Sequence, residues 1–292
     1  MATGVTYRRA MRELADFFGC DQTERAVYEH RLSTDPAEYA SSLLRATRTD
    51  LLFVDDGFPA ADIGTGWEEL GELAACEARP VLRIESHAEA SPRGIGDEIA
   101  SARANGYVAL KTIAAYRGGL DRVPAGVIAA LAANEATGEP LPVQVHCGFG
   151  DSDLHLWRSD PSYLKPVVER FRETPFVLLH CYPFVREAGW LAHVYGNVYF
   201  DLSLTIPHVA RPADALREAL ELAPVSKLLY ASDAARTPEL YYLAAKWWRE
   251  ALACVLPELL GGDAEEAGRL ILRENALALY PVAASSSSPS RM

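Results

Sequence analysis

The chain has 292 residues, 49% of them hydrophobic and 23% charged, a composition typical of a globular protein rather than a disordered or fibrous one. With 28 Lys and Arg against 40 Asp and Glu, its formal net charge of −12 argues against nucleic-acid and anionic-membrane partners, which favour basic surfaces. No apolar run approaches about 18 residues, and the N-terminus lacks the apolar core of a signal peptide. Five cysteines without a CxxC pair favour reduced thiols and a cytoplasmic location.

Three helices are predicted before residue 51. The first ends at Gly19, the second begins after a cap at Asp21 or Thr23, and the third begins at Pro36 after a cap at Asp35. No strand-like run precedes residue 51, so residues 1–50 are predicted to form an N-terminal helical segment.

From residue 51 onward, short apolar runs alternate with helical segments, which predicts a parallel sheet covered on both faces. The runs are LLFVDDG from 51, PVLRIES from 80, YVALKT from 107, LPVQVHCG from 141, PFVLLHC from 175, VYFDLS from 198 and KLLYASD from 227. Their centres recur about every 29 residues, close to the roughly 31 per unit of a (β/α)8 barrel. We therefore predict an α/β fold, a (β/α)8 TIM barrel over residues 51–281 that shows seven of its eight strands.

Helices are predicted in most of the gaps between the strands and after the last one. They span residues 67–77, 97–105, 124–137, 161–173, 210–222, 238–256 and 263–280. The helix that follows the last strand carries Trp247 and Trp248, which we expect to pack it on the barrel.

Residues 282–292 are Ser-rich and are predicted to form a disordered tail, because they offer no apolar surface to bury. Deletion of residues 283–292 should leave the melting temperature within about 2 °C, equivalent to about 0.5 kcal/mol or less at this size. A scanning-calorimetry comparison with the full chain checks this, and a fall of about ten degrees would show that the tail docks.

Polar side chains stand at the carboxyl ends of four predicted strands, where parallel α/β folds place their functional groups. They are Lys111, His146, His180 and Asp233. Two neutral imidazoles and a carboxylate suit a divalent ion such as zinc, whereas a lysine binds metal only after its amine is converted to a carbamate. The structural alternatives are core histidines, a helix cap at Asp233 and a solvent-exposed charge at Lys111.

Loops above the same mouth carry four candidate substrate contacts. They are Arg117, Asp151, Tyr182 and Arg186. Arginine is a natural clamp for a substrate carboxylate, and a solvated surface charge is the alternative for the charged members of this group.

Cys147 and Cys181 each follow a strand-end histidine directly. Neighbours on a strand point to opposite faces of the sheet, so both cysteines are predicted to be small core residues that face the helix layer rather than nucleophiles.

Four segments, ALKTIAAYRGGL, VQVHCGFGDSDLHL, VLLHCYPFVREAGWLAHVYGNVYFDLSL and LLYASDA, resemble the amidohydrolase superfamily. The resemblance is to the amidohydrolase-related group that includes the amidohydrolase-like half of glutamine-synthetase-like fusion proteins, and it extends over roughly residues 5–281. It implies a metal-dependent hydrolase on a (β/α)8 barrel, with metal-bound water or hydroxide as the nucleophile.

The resemblance also implies a role for each strand-end residue. His146 would bind the metal, and His180 would bind a second metal ion or act as an electrophile. Asp233 would bind the metal and take the proton from the attacking water, while Lys111 stands where some members have a carboxylated lysine between two metals. One or two divalent ions, zinc above all, and a small-molecule substrate are therefore expected.

One motif of the family is missing, because its first barrel strand carries His-x-His and this sequence contains no His-x-His. We expect weaker metal binding as a result, since even the loss of outer-shell partners costs about 10–100-fold. We further expect an N-terminally short version of a longer protein, whose upstream reading frame would encode the missing strand. Unpaired edges at the first and last strands would then favour poor solubility or a homo-oligomer.

The favoured function is a metal-dependent hydrolase of the amidohydrolase family, in which activated water attacks an amide or another C–N or C–O carbonyl substrate. One alternative is a metal-dependent decarboxylase or lactonase on the same barrel. The other is a non-catalytic, metal-deficient barrel that acts as a binding or regulatory module. The missing His-x-His favours this second alternative, and the retained His146, His180 and Asp233 favour an enzyme.

Overall fold

The computed structural model of the protein describes residues 3–55, 57, 65–90, 94–235 and 237–282. The predicted tail lies outside the described residues apart from Val282. Among the described residues, no helix is both long enough and apolar enough to cross a membrane.

Seven parallel strands form one curled half-barrel in the described part of the chain, and they neighbour one another in sequence order. The strands are β1 (Leu51–Asp55), β2 (Glu77–Arg83), β3 (Ala109–Thr112), β4 (Val143–Cys147), β5 (Phe176–His180), β6 (Val198–Asp201) and β7 (Leu228–Leu229). Among these strands, β1 and β7 are the two edges of the sheet and do not pair with each other. The predicted α/β barrel fold with seven visible strands is confirmed.

Helices precede the sheet, connect its strands and follow it. They are α1 (Val5–Phe18), α2 (Glu24–Ser33), α3 (Pro36–Ala46), α4 (Trp67–Ala74), α5 (Ile84–Ala90), α6 (Ile95–Ser101), α7 (Ala125–Ala136), α8 (Lys165–Arg170), α9 (Val185–Val194), α10 (Thr205–His208), α11 (Pro212–Leu220), α12 (Pro238–Leu260), α13 (Ala264–Arg269) and α14 (Asn275–Leu279). A π-helical turn, Leu270–Glu274, joins the last two.

Local capping signals determine the ends of the first three helices. Gly19 ends α1 in the left-handed conformation, with φ 66°, which glycine adopts at little steric cost. Of the two predicted caps of α2, Thr23 is the one used, and its side chain accepts a hydrogen bond from the Ala26 amide at 3.1 Å. Asp35 caps α3 as predicted.

The outer helix layer continues across the gap between the two sheet edges, because α12 packs against both α3 and α11, and α3 packs against α4. On the β1 side, Leu44 of α3 lies in one apolar cluster with Val54 and with Tyr241 of α12. Trp247 and Trp248 of α12 are almost completely buried, as predicted. The helices therefore bridge a position at which the sheet itself is open.

The C-terminal segment fills the inside of the half-barrel. Tyr280 is 6% exposed, its ring lies 4.5 Å from that of Phe53 on β1, and its hydroxyl accepts a hydrogen bond of 3.1 Å from the Gln144 amide on β4. The apolar side chains around it come from the strands and from the same terminal segment: Val81, Ala109, Val177, Leu179, Tyr199, Leu229, Ala276, Leu279 and Val282. One tyrosine thus connects β1 and β4 through the interior.

Several predicted boundaries are wrong, and two of them change how the sheet is read. The helix predicted over 67–77 ends at Ala74, because Ala75 turns into the left-handed conformation with φ 55°, and Glu77 already pairs with Leu51 in the sheet. The last strand, predicted to run from 227 to 233, ends at Leu229, so Asp233 stands in the irregular segment beyond it. Its φ of 48° is left-handed and incompatible with a strand.

Candidate active site

The two strand-end histidines meet at the mouth of the half-barrel. His146 lies near the end of β4 and His180 at the end of β5, and their ring centroids are 4.5 Å apart in an edge-to-face arrangement. Both are buried, at 5% and 1% exposure. The structure therefore brings together the two imidazoles that the sequence predicts as metal ligands.

Strict strand alternation would direct His180 away from this mouth. Leu179 packs with the interior cluster and Leu178 with the outer core, so the next side chain should face outward. His180 instead has φ 68° and Cys181 has φ 66°, a left-handed pair that turns the imidazole towards His146. Such backbone strain in residues other than glycine costs about 1–3 kcal/mol each and occurs preferentially at functional sites.

The cysteines that follow the two histidines lie in the outer core. Cys147 and Cys181 are fully buried and belong to the large apolar cluster between sheet and helices, as predicted. Burial raises the pKa of both thiols well above its usual value, so neither is a reactive thiolate. All five cysteines, each within the described residues, are free thiols.

Both histidines are held in the neutral form. Burial is the largest cause that lowers the pKa of His146 well below its usual range, followed by the nearby imidazole of His180 and the charge of Lys111. For His180 the causes are again burial first and then Lys111. A neutral imidazole retains a lone pair on one ring nitrogen, which is the form that binds metal or accepts a proton.

One nitrogen of His146 has no hydrogen-bond partner. Its Nε2 is buried and unpaired, and the ring of Tyr116 packs beside the imidazole at 4.7 Å between centroids. Buried polar atoms are rarely left unpaired, and the exceptions include sites where a ligand or ion binds. Nε2 of His146 is therefore the strongest indication of a ligand position at the mouth.

Asp233 also faces the histidines. Its Oδ2 lies 3.9 Å from Nδ1 of His180, and its side chain is about one third exposed, at 32%. Burial raises the pKa of Asp233, and the nearby Lys111 and His146 only partly oppose this. A carboxylate with a raised pKa is a better proton acceptor near neutral pH than an ordinary aspartate.

An ion-pair group that the sequence analysis missed surrounds Lys111. The ammonium of Lys111 is 3.7 Å from Oδ2 of Asp55, and Nε of Arg83 donates to both oxygens of the same carboxylate at 3.2 and 3.1 Å. Asp55 is the last residue of β1, and a carboxylate at a strand end was the available signal. Lys111 therefore has a carboxylate neighbour in the structure, and its carboxylation stays a prediction.

Of the four candidate substrate contacts, Arg186 is turned towards α11, and the other three lie on the loops that follow β3, β4 and β5. Tyr182 is 45% exposed and packs edge-to-face on Phe149, while the backbone amide of Asp151 donates a 3.0 Å hydrogen bond to the Tyr116 hydroxyl beside His146. Arg117 is exposed on the loop after β3. Arg186 is 80% exposed and pairs with Glu218 of α11 at 2.8 Å, so the structure does not bring it to the histidines.

The side chains at the mouth are of the kinds that bind a divalent ion, but they do not form a complete set of ligands. Two neutral imidazoles, one with an unpaired Nε2, and a carboxylate are the ligand types of zinc. However, no three His, Cys, Asp or Glu side chains of the described residues are arranged closely enough to hold a metal ion. His146, His180 and Asp233 are thus neighbours in pairs rather than a closed set of ligands.

A glycine closes the loop over His146, and its substitution should disturb the site. A Cβ at Gly150 would lie 1.8 Å from the Tyr116 hydroxyl and 3.0 Å from Nε2 of His146. We expect Gly150→Ala to displace Tyr116 and to lower the free energy of unfolding by about 1–3 kcal/mol, the usual cost of overpacking. Gly196→Ala is the matched control, since nothing lies within 4 Å of its Cβ position. Equal urea midpoints for the two variants would contradict this packing.

Two sequence comparisons bear on the family. A sequence profile of the Amidohydrolase family matches residues 84–282. Protein fluG of Emericella nidulans is 41% identical to this chain over 159 residues, a match that covers 51% of this chain and 18% of that protein. The matched part of the chain therefore spans less than a fifth of that relative.

Two solved structures share the fold. A proposed metal-dependent hydrolase from Lactobacillus casei has a TM-score of 0.82 at 28% identity, covering 95% of this chain and 84% of its own. The 5-carboxyvanillate decarboxylase LigW from Sphingomonas paucimobilis has a TM-score of 0.52 at 15% identity, covering 96% of this chain and 92% of its own, a likeness of fold alone. Since the family profile covers more than half of the sequence, the resemblance is confirmed and the chain belongs to the Amidohydrolase family.

Proposed function

We propose that this protein is a metal-dependent hydrolase that cleaves an amide or a related carbonyl bond of a small molecule. The observation that carries the proposal is the buried, unpaired Nε2 of His146 beside a second neutral imidazole at the mouth of the barrel. Membership of the Amidohydrolase family and the likeness to the Lactobacillus casei protein support the same reaction class.

Three side chains would divide the chemistry. His146 would hold a divalent ion, zinc in our proposal, through Nε2, with His180 and Asp233 as the further donors. When bound, such an ion lowers the pKa of water to about 7 and polarises the carbonyl to be attacked. The raised pKa of Asp233 suits it to take the proton from the attacking water and to pass it to the leaving nitrogen.

His180 has two candidate roles, which need different hydrogen positions on the ring. With a lone pair on Nε2 it can bind an ion or accept a proton. With a hydrogen on Nε2 it can donate to the oxygen of the substrate carbonyl as an electrophile. The ammonium of Lys111, which lowers the pKa of both histidines, would supply a positive charge that stabilises a developing oxyanion.

The substrate belongs to the proposal as well. We propose a small molecule with an amide bond, of the glutamyl type by analogy with the fusion proteins of the family. Arg117 and Tyr182 on the loops around the mouth, together with the segment at Asp151, would contact it. Arg186 would join them only after leaving Glu218, its partner on α11.

Metal content and hydrolysis together test the proposal. The chain would be purified after growth with added zinc, manganese or iron, analysed for metal, and assayed with γ-glutamyl-p-nitroanilide as the probe. We expect about one equivalent of metal and turnover that a chelator removes. Metal-free protein that also fails to bind added zinc would overturn the proposal.

A second candidate, the metal-deficient binding module, is favoured by one observation: the described residues lack a closed group of three ligands. In that case the mouth would bind its small molecule without cleaving it. The same metal analysis separates the two candidates, because a binding module would contain no stoichiometric metal and would give no turnover.

A further inference from the structure

Three polar side chains at the end of β6 hold one histidine from three sides. Asp201, Ser203 and Thr205 occupy alternate positions, and all three are buried, at 2%, 1% and 0% exposure. Each contacts a different group of His180. We call these three residues the β6 clamp.

Two members of the clamp hold the backbone of His180. Oδ1 of Asp201 accepts a 2.8 Å hydrogen bond from the His180 amide, and the hydroxyl of Thr205 donates to the His180 carbonyl. The residue between these bonds has the left-handed φ of 68°. The clamp therefore stabilises the strained conformation that turns the imidazole towards the mouth.

Ser203 holds the ring. Its Oγ lies 2.7 Å from Nδ1 of His180, and the same hydroxyl donates a 2.7 Å hydrogen bond to Oδ1 of Asp201. The Ser203 amide binds this oxygen too, at 2.9 Å. A serine hydroxyl has a single hydrogen. Because that hydrogen is donated to Asp201, the Ser203 oxygen acts as acceptor towards Nδ1, which must then carry the ring hydrogen.

We propose that Ser203 is a positioning residue which, with Asp201, fixes His180 in the Nδ1–H tautomer and leaves the lone pair on Nε2. His180 then acts as an ion ligand or proton acceptor and not as a hydrogen-bond donor to the substrate carbonyl. The role of His180 in catalysis rests on the proposed function. The tautomer does not, because it is a property of the metal-free protein and can be measured there.

The tautomer is measured directly by nitrogen-15 NMR of metal-free protein with labelled histidine, at a pH above the ordinary pKa of histidine. His180→Gln identifies the signals of the residue. In the wild-type protein we expect a protonated-type shift for Nδ1 and an unprotonated-type shift for Nε2. An unprotonated-type shift for Nδ1 with a protonated-type shift for Nε2 in the wild-type protein would by itself overturn the inference.

Ser203→Ala removes the acceptor and should give a mixture of both tautomers, together with a roughly 10–100-fold weaker affinity for added zinc. Ser203→Thr keeps a hydroxyl and should restore the wild-type pattern. Thr174→Val is the matched control, since it removes a buried hydroxyl at the opposite end of β5 whose partner is Glu135. An unchanged tautomer in Ser203→Ala would contradict the assignment.

The two proposals fail separately. If the wild-type protein shows the Nδ1–H tautomer and Ser203→Ala loses it, the clamp is supported even when zinc does not bind. If zinc binds and the probe is hydrolysed but the tautomer does not depend on Ser203, the proposed function stands and the positioning role is rejected.

Discussion

His146→Ala is expected to abolish hydrolysis of the γ-glutamyl probe and to release the bound metal, while the helical content measured by circular dichroism stays nearly unchanged. The reason is that Nε2 of His146 makes no hydrogen bond within the protein, so its loss removes the proposed ligand atom without breaking a hydrogen bond of that atom. The packing against Tyr116 and His180 is local to the mouth and contributes nothing to the α-helices. His193→Ala on the outer helix α9 is the matched control, because this histidine is exposed. Wild-type turnover and metal content in His146→Ala would end the site assignment.

Asp233→Ala tests the proton acceptor of the same site. We expect a fall in kcat of about 10²–10⁴-fold, the usual contribution of a general base, with little change in stability because the side chain is partly exposed. A structural cap would show the opposite pattern, a lower melting temperature with activity retained. Parallel measurements of kcat and melting temperature distinguish the two.

The largest effect on stability is expected from Tyr280→Ala. This change removes a buried aromatic ring from the centre of the half-barrel and leaves the Gln144 amide without its partner. Truncation of a buried aromatic residue costs about 3–5 kcal/mol, which lowers the melting temperature by at least about 6 °C in a domain of this size.

Two variants separate packing from hydrogen bonding at this position. Tyr280→Phe keeps the ring against Phe53 and should cost only about 1 kcal/mol, the net value of one hydrogen bond. Tyr28→Ala, at a tyrosine that is 60% exposed, should stay within about 0.5 kcal/mol of the wild-type protein. If Tyr280→Ala melted like Tyr28→Ala, the terminal segment would not support the half-barrel.

Structural features that depend only on residues close together in the sequence were predictable from the sequence by itself. The caps at Thr23 and Asp35 act on amides two or three positions away, so a short stretch of sequence contains the whole signal. The same holds for the apolar runs of the seven strands and for the inward direction of His146, because β4 alternates regularly. The sequence determined the fold class and the placement of His146 in this way.

Only the tertiary structure decided how His180, Lys111 and Asp233 are presented. The left-handed turn at His180 is held by Asp201 and Thr205, 21 and 25 positions away, so no local pattern reveals it. The partner of Lys111 is Asp55, two strands away, and ion pairs of this kind follow from sheet order rather than from sequence spacing. Helix capping and strand alternation depend on residues a few positions apart in the sequence. The direction of a strained side chain depends instead on hydrogen bonds that form only after the strands have paired.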